Sequence, residues 1–188
     1  AEARFLRAQS YYHALDLFGN VPFVDENTPA GELPKRITRA ELFTWVESEL
    51  LAVANDLKDP KTNEYGRADK AAAWTLLARL YLNAKVYTGT ERNNDVITYA
   101  NKVISSGYSL KSKYSDLFLA DNNLNNSEVI LSINYDGLKS QTYGGTTFLV
   151  HAAVGGSMAP ADFGIGGGWG GLRVTKTFVN RFTDANDK

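Results

Sequence analysis

Phe5, Ala8, Tyr12 and Leu15 recur at helical spacing, with Leu6 and Phe18 alongside, which predicts an amphipathic helix over residues 2–18. Gly19 supplies a stop, and Pro22 cannot continue the hydrogen-bond ladder. Residues 19–36 hold Pro22, Pro29 and Pro34 and read as a loop. Thr38 and Glu41 have capping-box spacing, in which each side chain satisfies the other's free backbone N–H. The helix that follows places Leu42, Val46, Leu50, Val53 and Leu57 on one face. Asp69 caps a third helix with the stripe Ala73, Leu77, Leu80, Ala84 and Tyr87. Residues 93–106 carry Val96, Tyr99, Ala100, Val103 and Ile104 before Gly107, and form a fourth helix. The β-branched run from Glu128 to Tyr135 is the best strand candidate. Helix returns over 175–183, capped by Thr175, with Phe178 and Phe182 four apart.

The pattern divides the chain into helical hairpins over 1–118 and a loop-rich part of the same domain over 119–188. Within the latter, residues 136–174 show no period. They contain 11 of the 16 glycines and four charged residues, Asp136, Lys139, Asp162 and Arg173. Irregular stretches of this length are usually functional or disordered, and Tyr143, Phe148, Phe163 and Trp169 argue against plain disorder. Trp74-x-x-Leu77-Ala78-x-x-Tyr81 matches the tetratricopeptide helix signature, with Ala in place of Gly. A small residue there admits the paired helix while Trp and Tyr fill the flanking gaps. Arg7-Ala8-x-x-Tyr11-Tyr12 is a looser echo. The expected fold is mainly α, with tetratricopeptide-like hairpins whose Trp74 and Tyr81 are core residues, and little strand.

Composition narrows the chemistry. Lys plus Arg is 20 and Asp plus Glu is 21, so a duplex nucleic-acid surface lacks its basic excess. The chain has no cysteine and two histidines, His13 and His151, neither with a partner at metal-ligand spacing. Gly166-x-Gly168-x-x-Gly171 satisfies a dinucleotide pattern formally, but that chemistry needs a strand before it and a helix N-terminus after it. Gly155-Gly156-Ser157-Met158-Ala159 falls short of a nucleophile elbow by ending in Ala. Asp136 and Asp162 are acids that nothing in the sequence pairs for glycoside hydrolysis. The expectation is no catalytic residue, metal site or cofactor. No apolar run approaches the roughly 20 residues of a membrane span. Neither end reads as a natural terminus, and a fragment of a longer protein is expected.

Glu2-Ala3-Arg4-Phe5-Leu6-Arg7-Ala8, Tyr11-Tyr12 and Leu17-Phe18-Gly19-Asn20-Val21-Pro22-Phe23 together resemble the first hallmark segment of the SusD/RagB family. Arg67-Ala68-Asp69-Lys70-Ala71-Ala72-Ala73 with Leu77-Ala78-Arg79-Leu80-Tyr81-Leu82 resembles the second. Val103-Ile104-Ser105-Ser106-Gly107-Tyr108-Ser109-Leu110, Tyr114-x-x-Leu117-Phe118, Glu128-Val129-Ile130 and Gly168-Trp169-Gly170-Gly171-Leu172-Arg173 are similar to later segments in the family's order. The resemblance implies a tetratricopeptide-like scaffold in a non-catalytic lipoprotein on the extracellular face of the bacterial outer membrane. Its lipid anchor would lie outside this sequence. It further implies a SusC-like TonB-dependent transporter as partner, and glycans, or peptides in the RagB branch, as ligands; starch is the family's type ligand.

Sugars present C–H faces that stack on aromatic rings, and hydroxyls that need polar partners. Tyr143 and Trp169 are therefore the expected platform, with Gln141, Asp162 and Arg173 as hydroxyl partners. The competing expectation is that Trp169 only packs the loop. A different class, a scaffold holding a peptide in its helical groove, would put the ligand on residues 1–118 instead.

Overall fold

The computed structural model describes residues 1–135, 138–140 and 142–184. The chain divides into two compact units, Ala1–Ser132 and Ile133–Lys188. The division falls beyond residue 118 because residues 119–132 are tied back to the first unit. Glu128 accepts the Lys111 N–H at 2.9 Å, Ser109 N–H donates to Ser127 O at 3.0 Å, and Ile130 and Leu131 pack on the helical core.

The first unit is helical, as the apolar spacing predicts. Helices α1 (Glu2–Phe18), α2 (Arg39–Ala54), α3 (Lys70–Leu82), α4 (Ala84–Thr88) and α5 (Asn93–Ile104) pack α1 on α2, α2 on α3 and α3 on α5. Helix α1 buries Phe5, Ala8, Tyr12 and Leu15, one residue per turn, and Gly19 ends it at φ 72°, where a glycine is unstrained. The capping box forms: Thr38 Oγ1 accepts the Glu41 N–H at 3.3 Å, and the Glu41 carboxylate accepts the Thr38 N–H at 3.0 Å. Leu42, Val46, Leu50, Val53 and Leu57 are all buried. The stripe Ala73–Leu77–Leu80–Ala84–Tyr87 is buried as a whole, although the helix breaks at Asn83. Ion pairs brace the hairpins from outside: Glu49 on α2 bonds Arg4 at 2.7 Å and Arg7 at 2.9 Å on α1. Arg7 also lies over the Trp45 ring.

Four expectations are corrected. Residues 19–36 are not wholly loop. Strands β1 (Val21–Phe23) and β2 (Lys35–Ile37) pair antiparallel, Val21 with Ile37 and Phe23 with Lys35. Both are edge strands of a two-stranded sheet, which tolerates Pro22. The run from Glu128 to Tyr135 forms no strand, because no sheet edge pairs with it; Ile130 and Leu131 reach the core through side chains alone. Trp74 is only part-buried. The inner face of α3 is filled by Ala73, Leu76, Leu77, Leu80 and Tyr81, which leaves Trp74 at the flank with the Lys102 Nζ 5.7 Å from its ring.

The fourth correction concerns the second unit. The stretch read as aperiodic contains helix α6 (Gly145–Ala153) and a 3₁₀ turn over Pro160–Phe163. Helix α7 (Lys176–Val179) follows, capped by Thr175 as expected but a single turn long, with the Phe178 and Phe182 rings 5.2 Å apart.

Candidate functional site

The second unit assembles around α6. Gly145 opens the helix at φ 58°, and a side chain there would run into the Tyr135 ring. At the other end, the last carbonyls of a helix have no partner within it. The glycine-rich segment that returns to it supplies those partners. Trp169 N–H donates to His151 O at 2.8 Å, Leu172 N–H to Ala152 O at 2.9 Å, and Gly170 N–H to Val154 O at 2.9 Å. Such close approach excludes side chains. A Cβ on Gly168 would collide with the Val154 carbonyl, and one on Gly155 would sit 2.5 Å from Gly170 Cα. Gly166 and Gly171 face open space. The G-x-G-x-x-G pattern thus runs along a helix C-terminus, where carbonyls point outward, a polarity that disfavours a pyrophosphate.

This backbone clasp positions four rings together. Trp169 lies 5.2 Å from the His151 imidazole at an interplanar angle of 32°. It lies 6.4 Å from both Tyr143 and Phe148, at 53° and 57°. Trp169 is 46% exposed and Tyr143 86%. Ala152 and Val154 are buried beneath, which anchors the helix end that carries the rings.

The structure therefore brings Tyr143 and Trp169 together. Asp162, on the 3₁₀ turn, and Arg173, just past the clasp, are both exposed, and neither makes an ion pair among the described residues. Gln141 lies outside the described residues, as does Asp136. Sequence reasoning missed Phe148 and His151 as members of the cluster. Their three-residue spacing was the available signal, since it puts both on one face once α6 is recognised.

Among the described residues, the perturbed groups lie in the first unit and make structural contacts. Burial, and then a hydrogen bond to Glu47 at 2.8 Å, push the Tyr81 phenol well above its usual range. Burial and a bond to Asp69 do the same to Tyr108. Among the described residues, no three His, Asp or Glu side chains gather as a metal site, and no helix is long and apolar enough to cross a membrane.

No family profile matches the chain. The starch-binding protein SusD of Bacteroides thetaiotaomicron is 43% identical over 185 residues, covering 97% of this chain and 33% of that protein. The chain belongs, by homology, with SusD and the SusD-like proteins. A SusD-like protein of Bacteroides ovatus is 32% identical over 72% of this chain and 26% of its own length. Among solved structures, a SusD-like carbohydrate-binding protein from Bacteroides fragilis superposes with TM-score 0.61 at 28% identity, covering 71% of this chain and 26% of that one. Surface glycan-binding protein A from Bacteroides thetaiotaomicron, solved with laminarihexaose, gives 0.57 at 27% identity, covering 71% and 27%. This SusD-like chain thus spans a third or less of the length of these relatives, three of which carry names that describe binding proteins.

Proposed function

We propose that the protein binds a neutral polysaccharide or oligosaccharide without altering it, holding sugar rings on the surface formed by Tyr143 and Trp169. The observation that carries this is the exposed ring cluster in a segment nearly free of charge. Aromatic rings give a pyranose a large apolar face while freezing few rotors. Affinity then rises with chain length as successive sugars find further contacts. Asp162 and Arg173 flank Trp169 in sequence and are the polar partners to test first, with Gln141. The family relationship supports a location on the extracellular face of the outer membrane. It also supports a SusC-like TonB-dependent transporter as the partner that takes the glycan onward.

The test is calorimetric titration with maltoheptaose and laminarihexaose, on the wild type and on Trp169→Ala and Tyr143→Ala. Weakened binding at unchanged thermal stability is the expected result. Normal binding by both variants would place the platform elsewhere, and joint loss of stability and binding would make the rings core packing. Chromatography of the incubated glycan checks the non-catalytic reading: protein-dependent shortening of the chains would refute it.

The groove between α3 and α5 favours a second reading, a peptide-binding scaffold. It is a hollow of about 280 Å³ lined largely by apolar side chains, including Ala78, Leu82, Val96, Ala100 and Ile104. That lining suits apolar side chains and gives sugar hydroxyls few partners. Binding of an apolar peptide that is unaffected by Trp169→Ala but abolished by Ala100→Trp, with no glycan binding by the wild type, would favour the groove.

A further inference from the structure

We infer that His151 is the hydrogen-bonding partner of the Trp169 platform, its Nε2 accepting a hydroxyl of the sugar that stacks on the indole. The inference rests on the glycan reading above and names a residue that reading does not contain.

Three features of the site converge on it. The first is placement: the imidazole lies 5.2 Å from the Trp169 ring at an interplanar angle of 32°, an offset, tilted contact that leaves the imidazole at the border of the indole. Backbone bonding holds that arrangement, because the Trp169 N–H donates to the carbonyl of His151 itself. A sugar that stacks on the open part of the indole and extends past its rim therefore comes to the imidazole edge.

The second feature is the tautomer. Nδ1 lies 3.0 Å from the carbonyl oxygen of Thr147, one turn back on α6. A carbonyl can only accept, so Nδ1 carries the proton in the neutral ring, and Nε2 is left with a lone pair. The same bond fixes direction. With Nδ1 turned toward the helix backbone, Nε2 points away from it.

The third is vacancy. Nε2 has no hydrogen-bonding partner among the described residues, and the one buried side-chain polar atom without a partner there is Arg7 Nε. Nε2 is thus open to solvent. The indole N–H of Trp169 is likewise unbonded among the described residues, so the platform offers an acceptor and a donor at its rim. Sugar hydroxyls both donate and accept, and a surface with both discriminates the orientation of a stacked ring better than stacking alone. Asp162 and Arg173, by contrast, have no ring contact that places them at Trp169.

Two substitutions separate the roles of the two nitrogens. The Asn amide reaches the place of Nδ1 and leaves that of Nε2 empty, whereas Gln extends to Nε2; both remove the imidazole ring. Titration with maltoheptaose and laminarihexaose should show His151→Asn weakened by about 3- to 10-fold and His151→Gln within about twofold of wild type, the range of one neutral hydrogen bond. In the ¹⁵N-labelled wild type, the His151 Nε2 resonance should shift on adding the glycan while Nδ1 stays. Equal losses in the two variants would make His151 a packing residue and overturn the inference. So would wild-type affinity in His151→Asn, or an Nε2 resonance that ignores the glycan. Trp169→Ala distinguishes the two levels: if it abolishes binding while His151→Asn does nothing, the platform stands and the role of His151 falls. If Trp169→Ala changes nothing, the platform and the inference fall together.

Discussion

Replacing Asp69 should destabilise the helical unit more than any other single polar change, and the structure shows why. The side chain is 2% exposed and holds three donors at once. Its Oδ1 accepts the Ala72 N–H at 3.0 Å, capping α3. Its Oδ2 accepts the Lys61 N–H at 2.9 Å and the Tyr108 O–H at 2.7 Å. One carboxylate therefore joins the start of α3, the turn before it and the segment after α5. Lys61 stands at φ 63°, a left-handed conformation that costs a non-glycine residue about 1–2 kcal/mol, and the Asp69 bond helps hold it there. Loss of a cap costs about 1 kcal/mol, and each bond to a charged acceptor contributes roughly 1.5 kcal/mol or more. Lys61 and Tyr108 retain some access to water, which offsets part of the loss. Asp69→Ala should thus cost about 3 kcal/mol. Asp69→Asn keeps the cap but turns an NH₂ toward two donors, and should cost about 2 kcal/mol. Urea unfolding followed by far-UV circular dichroism measures both, since most helix lies in this unit. In a double-mutant cycle, Asp69→Asn and Tyr108→Phe should couple by about 1 kcal/mol. A loss below about 1 kcal/mol for Asp69→Ala, or a cycle without coupling, would refute the three-way anchor.

Trp74→Ala should cost about 1–2 kcal/mol in the same assay, below the roughly 3–5 kcal/mol of a fully buried Trp, because Trp74 lies at the flank of α3. Gly168→Ala should break the clasp against the Val154 carbonyl and blue- or red-shift the Trp169 emission, whereas Gly171→Ala, which meets open space, should leave it unchanged. Acid should loosen the α1–α2 hairpin. The hydrogen bond from Arg4 holds the Glu49 carboxyl below the ordinary glutamate value of 4.5. A folded-state value lower than the unfolded one gives stability that is present above the unfolded value and lost as pH falls through the folded one. Urea midpoints should therefore drop on acidification below about pH 4.5, and Glu49→Gln should flatten that slope.

The helices were legible because their determinants are local. Phe5, Ala8, Tyr12 and Leu15 share a face at any tertiary arrangement, and Thr38 reaches Glu41, and Asp69 reaches Ala72, within a single turn. Their partners were a different matter. That Asp69 would also take Lys61 and Tyr108 depends on how α3 and α5 pack, and no spacing in the chain encodes it. Trp74 carries the residue type of a core position, yet alanines and leucines fill the interface first and leave it at the edge. Strand pairing went the same way: a β-branched run stayed unpaired for want of an edge, while Val21–Phe23, proline included, found one in Lys35–Ile37.

The ring cluster shows the division most plainly. Tyr143 and Trp169 stand out by composition alone, as aromatics in a stretch poor in charge and rich in glycine. What makes them a surface is the return of residues 168–172 to the end of α6, where free carbonyls bond the backbone of Trp169, Gly170 and Leu172. The glycines were visible as a pattern, but only the folded backbone says that Gly168 is needed against Val154 and that Gly171 is not. His151 shared no motif with Trp169. Its place beside the indole is set by a non-local hydrogen bond, and such bonds are decided by the tertiary structure because the residues they join are distant along the chain.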